Sequence, residues 1–324
     1  DKRIFMIGGH LDSRVSDVMN AKDFAPGAND DGSGVGAVIE SARVLSQSRF
    51  PATIVFVAFS GEEQGLLGAK MLAEKAKTEN WQLEALLNND MVGNNLSSET
   101  NLINANQLRV FSEGLPQFDL DKKAQGIRNL GLENDGEARQ LARYIKEIGE
   151  RYVDNLEVKL IYRNDRFLRG GDHTSFVNQG FSAVRLTEFN ENYDHQHQDI
   201  RKENGKQFGD LPEFMDFEYF KKNVGVNVSV LANLAKSPSK PENVKMDVKE
   251  LTNFTTIHWE KPKNGEVVGY YVLMRETDSS TWQKKFFTKE NSMKLPYSKD
   301  NYFFAVQAVN SSGNESLIVI PSVK

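Results

Sequence analysis

Cysteine is absent from the 324 residues, and this narrows the available chemistry more than any other feature of composition. Thiolate metal sites, disulfide scaffolds and cysteine nucleophiles are excluded together, so a metal site must draw on His, Asp and Glu. There are five histidines, His10, His173, His195, His197 and His258, four of them in the first 200 residues. Carboxylates gather close to them in sequence. Asp12 follows His10, Glu62 and Glu63 stand in SGEE, Asp90 closes LEALLNND, and APGANDDGSG (25–34) places two carboxylates in a glycine-rich turn. EFNENYDHQHQD (188–199) adds two more imidazoles among acids. Singly, each piece is commonplace: H-x-D pairs are frequent, Glu-Glu is usually a solvated helix start, and NDDG is a turn signal. Together they are a chemistry set. Gathered like charges must be paired, protonated or metal-bound. Without thiolates, zinc takes imidazole and carboxylate ligands at ~2.0–2.2 Å. Two zinc ions ~3.5–4 Å apart need a bridging carboxylate and terminal ligands, with a further carboxylate free to take a proton from water. The set supplies two imidazoles, a carboxylate in the turn, two other carboxylates and a spare Glu.

Such groups need strands to deliver them, because ligands of an open α/β sheet bind at the carboxyl ends of its strands. RIFMIGG (3–9) and TIVFVAF (53–59) are apolar runs of buried-strand composition, and LEALLNND (83–90) and FSAVRLTE (181–188) read as further strands. GVGAVIESARVLSQS (34–48), LLGAKMLAEKAKT (66–78), DGEARQLARYIKEIGERYV (135–153) and MDFEYFKKNVGVNVSVLANLAK (215–236) carry helical spacing. The alternation predicts an α/β fold, a mostly parallel mixed sheet flanked by helices. The polar groups above fall at the strand ends. The segment 94–134 has no clear period and is expected to form loops with short elements.

The character changes after Lys236. SPSKP (237–241) holds two of the nine prolines and reads as a linker, placed at 237–240. Short alternating strands follow, from NVKMDVKE to NYFFAVQAVN, predicting a small all-β sandwich over 241–324. Eleven Lys and Arg against ten Asp and Glu give 241–324 a charge of +1, leaving −6 for the remainder. His258 sits mid-strand there with no acidic cluster in sequence, an ordinary strand residue. The net charge of −5 and the lack of a basic stripe argue against a nucleic-acid partner. The longest apolar runs fall far short of the ~20 residues of a membrane span.

GGHLDS, APGANDDGSG, AFSGEEQGLLGA, NNDMVG, GGDHTSF and HQHQD together resemble the zinc aminopeptidases of family M28, over most of 3–236. The order of elements in 241–324 resembles a fibronectin type III domain. The first resemblance implies a two-zinc site in which His10 and Asp90 hold one ion, Glu63 and His195 the other, and Asp30 bridges. It implies Glu62 as the general base and Asp12 as a carboxylate orienting the His10 imidazole. His195 is preferred to His197 because family members carry an acid four positions after this histidine, and Asp199 fits. Relatives often have Tyr directly before it; here Asp194 stands there and Tyr193 one step earlier. Asp172 and His173 are expected as pocket or supporting structure.

The activity implied is hydrolysis of the amino-terminal peptide bond of peptides with a free N-terminus, in a secreted or periplasmic protein whose second domain is expected to be a spacer or an adhesion module for a polymer or cell surface. The alternatives are a related dipeptidase or carboxypeptidase, for which Arg163, Arg166, Arg169 and Arg185 could supply cationic partners, a single-zinc glutaminyl cyclase, and a non-catalytic binding protein. Relatives carry a considerable segment before the GGHLDS strand. With nine residues before His10, the expectation is either a trimmed fragment, which would leave unpaired strand groups at a sheet edge, or an edge covered otherwise.

Overall fold

A computed structural model describes residues 1–115, 126–167 and 169–323. Two compact units divide the chain, Lys2–Leu231 and the stretch that begins at Ala232.

In the first unit, β1 (Arg3–His10), β2 (Thr53–Phe59), β3 (Gln82–Asn89), β4 (Gln107–Ser112), β5 (Glu157–Ile161) and β6 (Ala183–Glu188) form a six-stranded sheet ordered β2-β1-β3-β6-β4-β5. Every neighbouring pair is parallel except β4 with β6. The helices are α1 (Gly32–Leu45), α2 (Leu67–Thr78), α3 (Glu137–Tyr152), α4 (Asp172–Asn178) and α5 (Phe217–Lys236). Central strands covered on both faces need unbroken apolar runs, and β1 and β3 have them: Phe5, Met6, Ile7, Ala85, Leu86 and Leu87 are fully buried. Met6, Leu86 and Ala183 pack with Ala69 and Ala73 of α2 and Phe176 of α4. Alanine lets α2 lie close to the sheet, and the Phe59 and Phe176 rings meet with centroids 5.8 Å apart.

One expectation needs correction here. TIVFVAF has the composition of a buried strand, yet β2 lies at the sheet edge and most of it is only half-buried. β-branched residues suit a pleated surface at either place, so composition does not separate them. Within 94–134, the expected short elements include a strand, β4, whose residues Leu108, Val110 and Phe111 are buried; residues 116–125 of that segment lie outside the described residues.

Outside the six-stranded sheet, β7 (Arg201–Glu203) and β8 (Lys206–Phe208) pair antiparallel. In the second unit, β9 (Glu242–Met246), β10 (Thr255–Glu260), β13 (Ser292–Leu295) and β15 (Ser322–Val323) form one sheet, and β11 (Gly269–Glu276), β12 (Lys284–Thr288) and β14 (Tyr302–Val309) the other. Between them lie Ile257, Trp259, Tyr270, Val272, Phe304 and Val306, with Trp259 and Tyr270 edge to face at 5.3 Å. This is a fibronectin-like sandwich. His258 is exposed on β10, its Nε2 2.9 Å from Asp247 Oδ2. Within SPSKP, Ser237 and Pro238 are buried, Ser237 N–H donates to Asn233 O at 2.9 Å, and Ser239 N–H donates to Asn264 O at 2.9 Å.

Candidate metal centre

Parallel register gathers the chemical groups. His10, the last residue of β1, stands opposite Phe59, the last described pair of β2, and Gly8 stands opposite Asn88 of β3. The segments leaving β2 and β3, with Glu62, Glu63 and Asp90, therefore emerge beside His10. The turn before α1 joins them through a close backbone approach. A Cβ on Gly9 would lie 2.6 Å from the Gly34 carbonyl carbon, and one on Gly34 would lie 2.5 Å from Asn89 O, so only glycine fits at both. Asp31 ties this junction. Its carboxylate accepts from His10 N–H at 2.9 Å, Gly34 N–H at 2.9 Å and Met91 N–H at 3.1 Å, capping α1 and fixing the exits of β1 and β3. Burial pushes the Asp31 carboxyl well above the usual range, with Asp90 and Asp30 adding to the effect and His10 opposing it. The Asp30–Asp31 peptide bond is cis.

With Asp31 engaged by the backbone, Asp30 faces the cluster. Its Oδ1 lies 3.0 Å from His10 Nε2 and its Oδ2 3.0 Å from His197 Nε2. His197 Nε2 is 2.7 Å from Glu63 Oε1, and Asp90 Oδ1 is 4.0 Å from His10 Nε2. Donor atoms of His10, Asp30 and Asp90 lie within 4.8 Å of one another, as do those of Asp30, Glu63 and His197, and those of His10, Glu62 and Glu63. Asp30 is thus shared by two three-ligand groups, each with one imidazole. That donor set fits zinc, which accepts His nitrogen and carboxylate oxygen together.

The cluster's electrostatics ask for cations. Burial disfavours the imidazolium of His10, yet Asp31, Asp30 and Asp90 push its pKa up to about 12. Burial opposes His197 too, and Asp30 and Glu63 raise it to about 9. Glu62 is pushed up to about 8 by burial and then by Asp90, with Asp172 and Glu63 adding and His10 opposing. Excess carboxylate charge in a dry site favours either protons or metal ions.

Several side chains set this geometry. His10 Nδ1 lies 2.8 Å from the Asp12 main-chain oxygen. A carbonyl can only accept, so Nδ1 carries a proton and Nε2 is the nitrogen turned to the cluster, protonated toward Asp30 without a metal and the atom that would bind one. The Asp12 carboxylate does a different job from the one expected. It accepts from the N–H groups of Gly61 at 2.8 Å, Glu62 at 3.1 Å and Glu63 at 3.0 Å, so it holds the SGEE turn and not the imidazole. Asp210, which no motif announces, accepts from Asn29 N–H at 3.0 Å and Asp30 N–H at 2.7 Å. Gln196 Nε2 donates to Asp30 Oδ2 at 2.9 Å. Behind Asp90, the fully buried Arg185 donates from Nε to Asp90 Oδ2 at 3.0 Å and from Nη1 to Asp165 Oδ1 at 3.2 Å.

The second imidazole of the cluster is His197, not His195. The His195 ring stacks on Phe214 of the short 3₁₀ turn Pro212–Phe214, with centroids 3.8 Å apart and planes 9° from parallel. Asp199, which favoured His195 by spacing, is exposed and exchanges hydrogen bonds of 3.3 Å with Ser16. His197 takes the left-handed backbone conformation, φ 58°, uncommon for a residue with a side chain and typical of one held by its surroundings. In HQHQ, one residue separates the histidines, and a loop has no period to say which faces inward. Tyr193 is 53% exposed, its N–H on Ser98 Oγ at 3.2 Å, and Asp194 pairs with Lys206. Asp172 is buried with neither carboxylate oxygen hydrogen-bonded. Burial pushes it up to about 7, with Asp90 and Asp12 adding to the effect against His10. His173 Nε2 lies 2.7 Å from Asn164 O, and burial lowers its pKa.

Imidazoles and carboxylates delivered by the strand ends of an α/β sheet to one buried cluster make the architecture of a metal-dependent hydrolase. The family described as Peptidase family M28 matches residues 1–211, and the Fibronectin type III domain matches residues 239–321. The chain belongs to peptidase family M28. It is 42% identical over 321 residues to a probable zinc metalloprotease of Leptosphaeria maculans, covering 99% of this chain and 74% of that protein. It is 42% identical over 322 residues to a probable zinc metalloprotease of Pyrenophora tritici-repentis, covering 98% of this chain and 66% of that protein. The chain thus spans about two thirds to three quarters of these relatives. Among solved structures, LapA of Legionella pneumophila aligns with a TM-score of 0.51 at 20% identity, over 72% of this chain and 53% of that one, a likeness of fold. Among the described residues, no helix is long and apolar enough to cross a membrane.

Proposed function

We propose that the chain is a two-zinc aminopeptidase that hydrolyses the first peptide bond of substrates with a free N-terminus. The observation that carries this reading is Asp30, whose two oxygens each lie 3.0 Å from a different imidazole. One ion would be held by His10, Asp90 and Asp30, the other by Glu63, His197 and Asp30. Zinc bound there would act as a Lewis acid toward the scissile carbonyl and make water acidic enough to be a nucleophile near neutral pH. Glu62 takes the proton of the attacking water and returns it to the departing amine. Asp12 holds the Glu62 and Glu63 amides, so the base and the neighbouring ligand are placed by one carboxylate. With Asp30, Glu63 and Asp90 taken as ligands and Glu62 as the base, the preference for a free N-terminus rests on family resemblance. A secreted or periplasmic location, and contact of the sandwich with a polymer or cell surface, belong to the same proposal and rest on family resemblance.

The test compares an aminoacyl chromogenic anilide with its N-acetylated form, before and after chelation and zinc restoration. The proposal expects cleavage of the free-amine substrate only, lost with chelator and regained with zinc. Equal cleavage of the blocked substrate, or activity indifferent to chelation, would contradict it.

A further inference from the structure

We propose that Arg109, Arg166 and Arg169 form a carboxylate-binding wall of the site, so that favoured substrates carry a carboxylate about one residue beyond the scissile bond; this deepens the peptidase reading above and rests on it. The loop between β5 and α4, YRNDRFLRGG (162–171), carries Arg163, Arg166 and Arg169. Arg166 and Arg169 turn toward Glu191, where they meet Arg109 of β4. Arg109 Nη2 is 2.8 Å, Arg166 Nη1 2.9 Å and Arg169 Nη1 3.7 Å from the Glu191 carboxylate. One carboxylate does not neutralise three guanidiniums. The neighbouring acid, Asp165, is already shared between Arg185 Nη1 at 3.2 Å and Arg166 Nε at 3.3 Å. The surplus of positive charge reaches solvent on one side, since side-chain exposure rises from 11% at Arg166 through 17% at Arg109 to 34% at Arg169.

The wall also touches the chemistry. Arg169 Nη1 donates to Gln196 Oε1 at 3.3 Å, and Gln196 Nε2 donates to Asp30 Oδ2 at 2.9 Å. One amide side chain therefore separates the most exposed guanidinium from the carboxylate shared by the two ligand groups. An extended peptide advances ~3.3–3.6 Å per residue. With its scissile carbonyl at the cluster, a dipeptide places its terminal carboxylate about one residue away, and an Asp or Glu at the second position places its side chain at similar range. Arginine's planar fork suits either carboxylate. Both sources offer the same chemistry, and the substrates below separate them.

The experiment uses the zinc-loaded protein and measures kcat/KM for three substrates and two matched controls. They are a dipeptide with a free C-terminus and its amide, dipeptide amides with Glu or Gln second, and a neutral aminoacyl anilide. The wild-type protein is expected to favour one carboxylate member over its partner by about tenfold or more, as a charged hydrogen bond gives, and less at high salt. Arg169→Gln should bring that ratio near one, with Arg169→Lys in between because the charge remains without the fork. Each ratio is taken within one variant, so a general loss of activity cancels. Preference in the first pair identifies the terminal carboxylate; preference in the second identifies an acidic side chain. A wild-type ratio near one in both pairs, or a ratio untouched by Arg169→Gln, overturns the wall. If the anilide is cleaved while both ratios are near one, the wall fails and the peptidase reading stands. If no substrate is cleaved, both fail.

Discussion

Replacing His197 and His195 separately should give opposite phenotypes, although the two are separated by a single residue. His197→Ala removes the nitrogen that lies 2.7 Å from Glu63 and 3.0 Å from Asp30. Both carboxylates are nearly buried, with side-chain exposures of 7% and 5%, so the variant removes the imidazole they share and leaves Asp30 to His10 at 3.0 Å and Glu63 to Arg14 at 3.7 Å. Breaking a buried pair costs about 3–5 kcal/mol, and the partial exposure of the imidazole, 21%, brings the expectation toward the lower end. Without metal, that lowers Tm by several degrees at ~2–4 °C per kcal/mol for a unit of this size. With metal, loss of a direct ligand should exceed the ~10–100-fold effect of losing a group behind a ligand. His195→Ala removes instead a ring stacked on Phe214 at 3.8 Å, a contact of about 0.5–1.5 kcal/mol, and leaves metal binding within a few-fold of wild type. Zinc affinity by competition with a chromogenic chelator, alongside thermal melts with and without zinc, reads both effects. If His195→Ala sheds zinc while His197→Ala holds it, the geometry of this loop is wrong.

Three further outcomes follow from the site. Glu62→Gln should lower kcat by ~10²–10⁴ with zinc content unchanged, whereas Glu63→Gln should lose zinc; metal analysis beside kinetics would show whether the two roles are reversed. Asp210→Asn removes the charge that receives the Asn29 and Asp30 amides at 3.0 and 2.7 Å, and zinc affinity should fall about 10–100-fold with the fold intact by circular dichroism; unchanged affinity would remove Asp210 from the site. Against burial, Arg166, Arg185 and Arg109 hold the Glu191 carboxyl down at about 2, so its contribution of about 3 kcal/mol is present above pH ~4.5 and disappears as pH falls toward 2. Glu191→Gln should therefore melt earlier than wild type at pH 7, with the gap closing in acid; a gap independent of pH would contradict the pairing.

The parts of this site that a sequence shows are those where backbone and side chain share one constraint. β2 lies over the residues its β-branched run marks, 53–59, and the apolar run of β1 ends at the histidine. His10, Glu62, Glu63 and Asp90 follow strands, so their place at one sheet end is fixed by parallel register. Elements with weak patterns are harder to see. β4, QLRVFS, alternates polar with apolar inside a polar stretch, and α4 is only seven residues long. Loop groups are hardest. His197 against His195 depends on one left-handed residue, and Asp210 reaches the Asp30 amide across 180 positions of sequence. Asp12 shows a further limit: its proximity to His10 suggests imidazole support, but its carboxylate is taken by three backbone amides of another segment.

Zinc stoichiometry of Asp30→Ala tests the central claim most directly. Asp30 lies in both ligand groups, with one oxygen 3.0 Å from each imidazole. Elemental analysis after equilibration in micromolar zinc should give about two ions per chain for the wild-type protein and, with the shared carboxylate gone, loss of both together in the variant. A wild-type protein that takes up one ion, or an Asp30→Ala variant that keeps two tightly held, would contradict a carboxylate-bridged pair at this site.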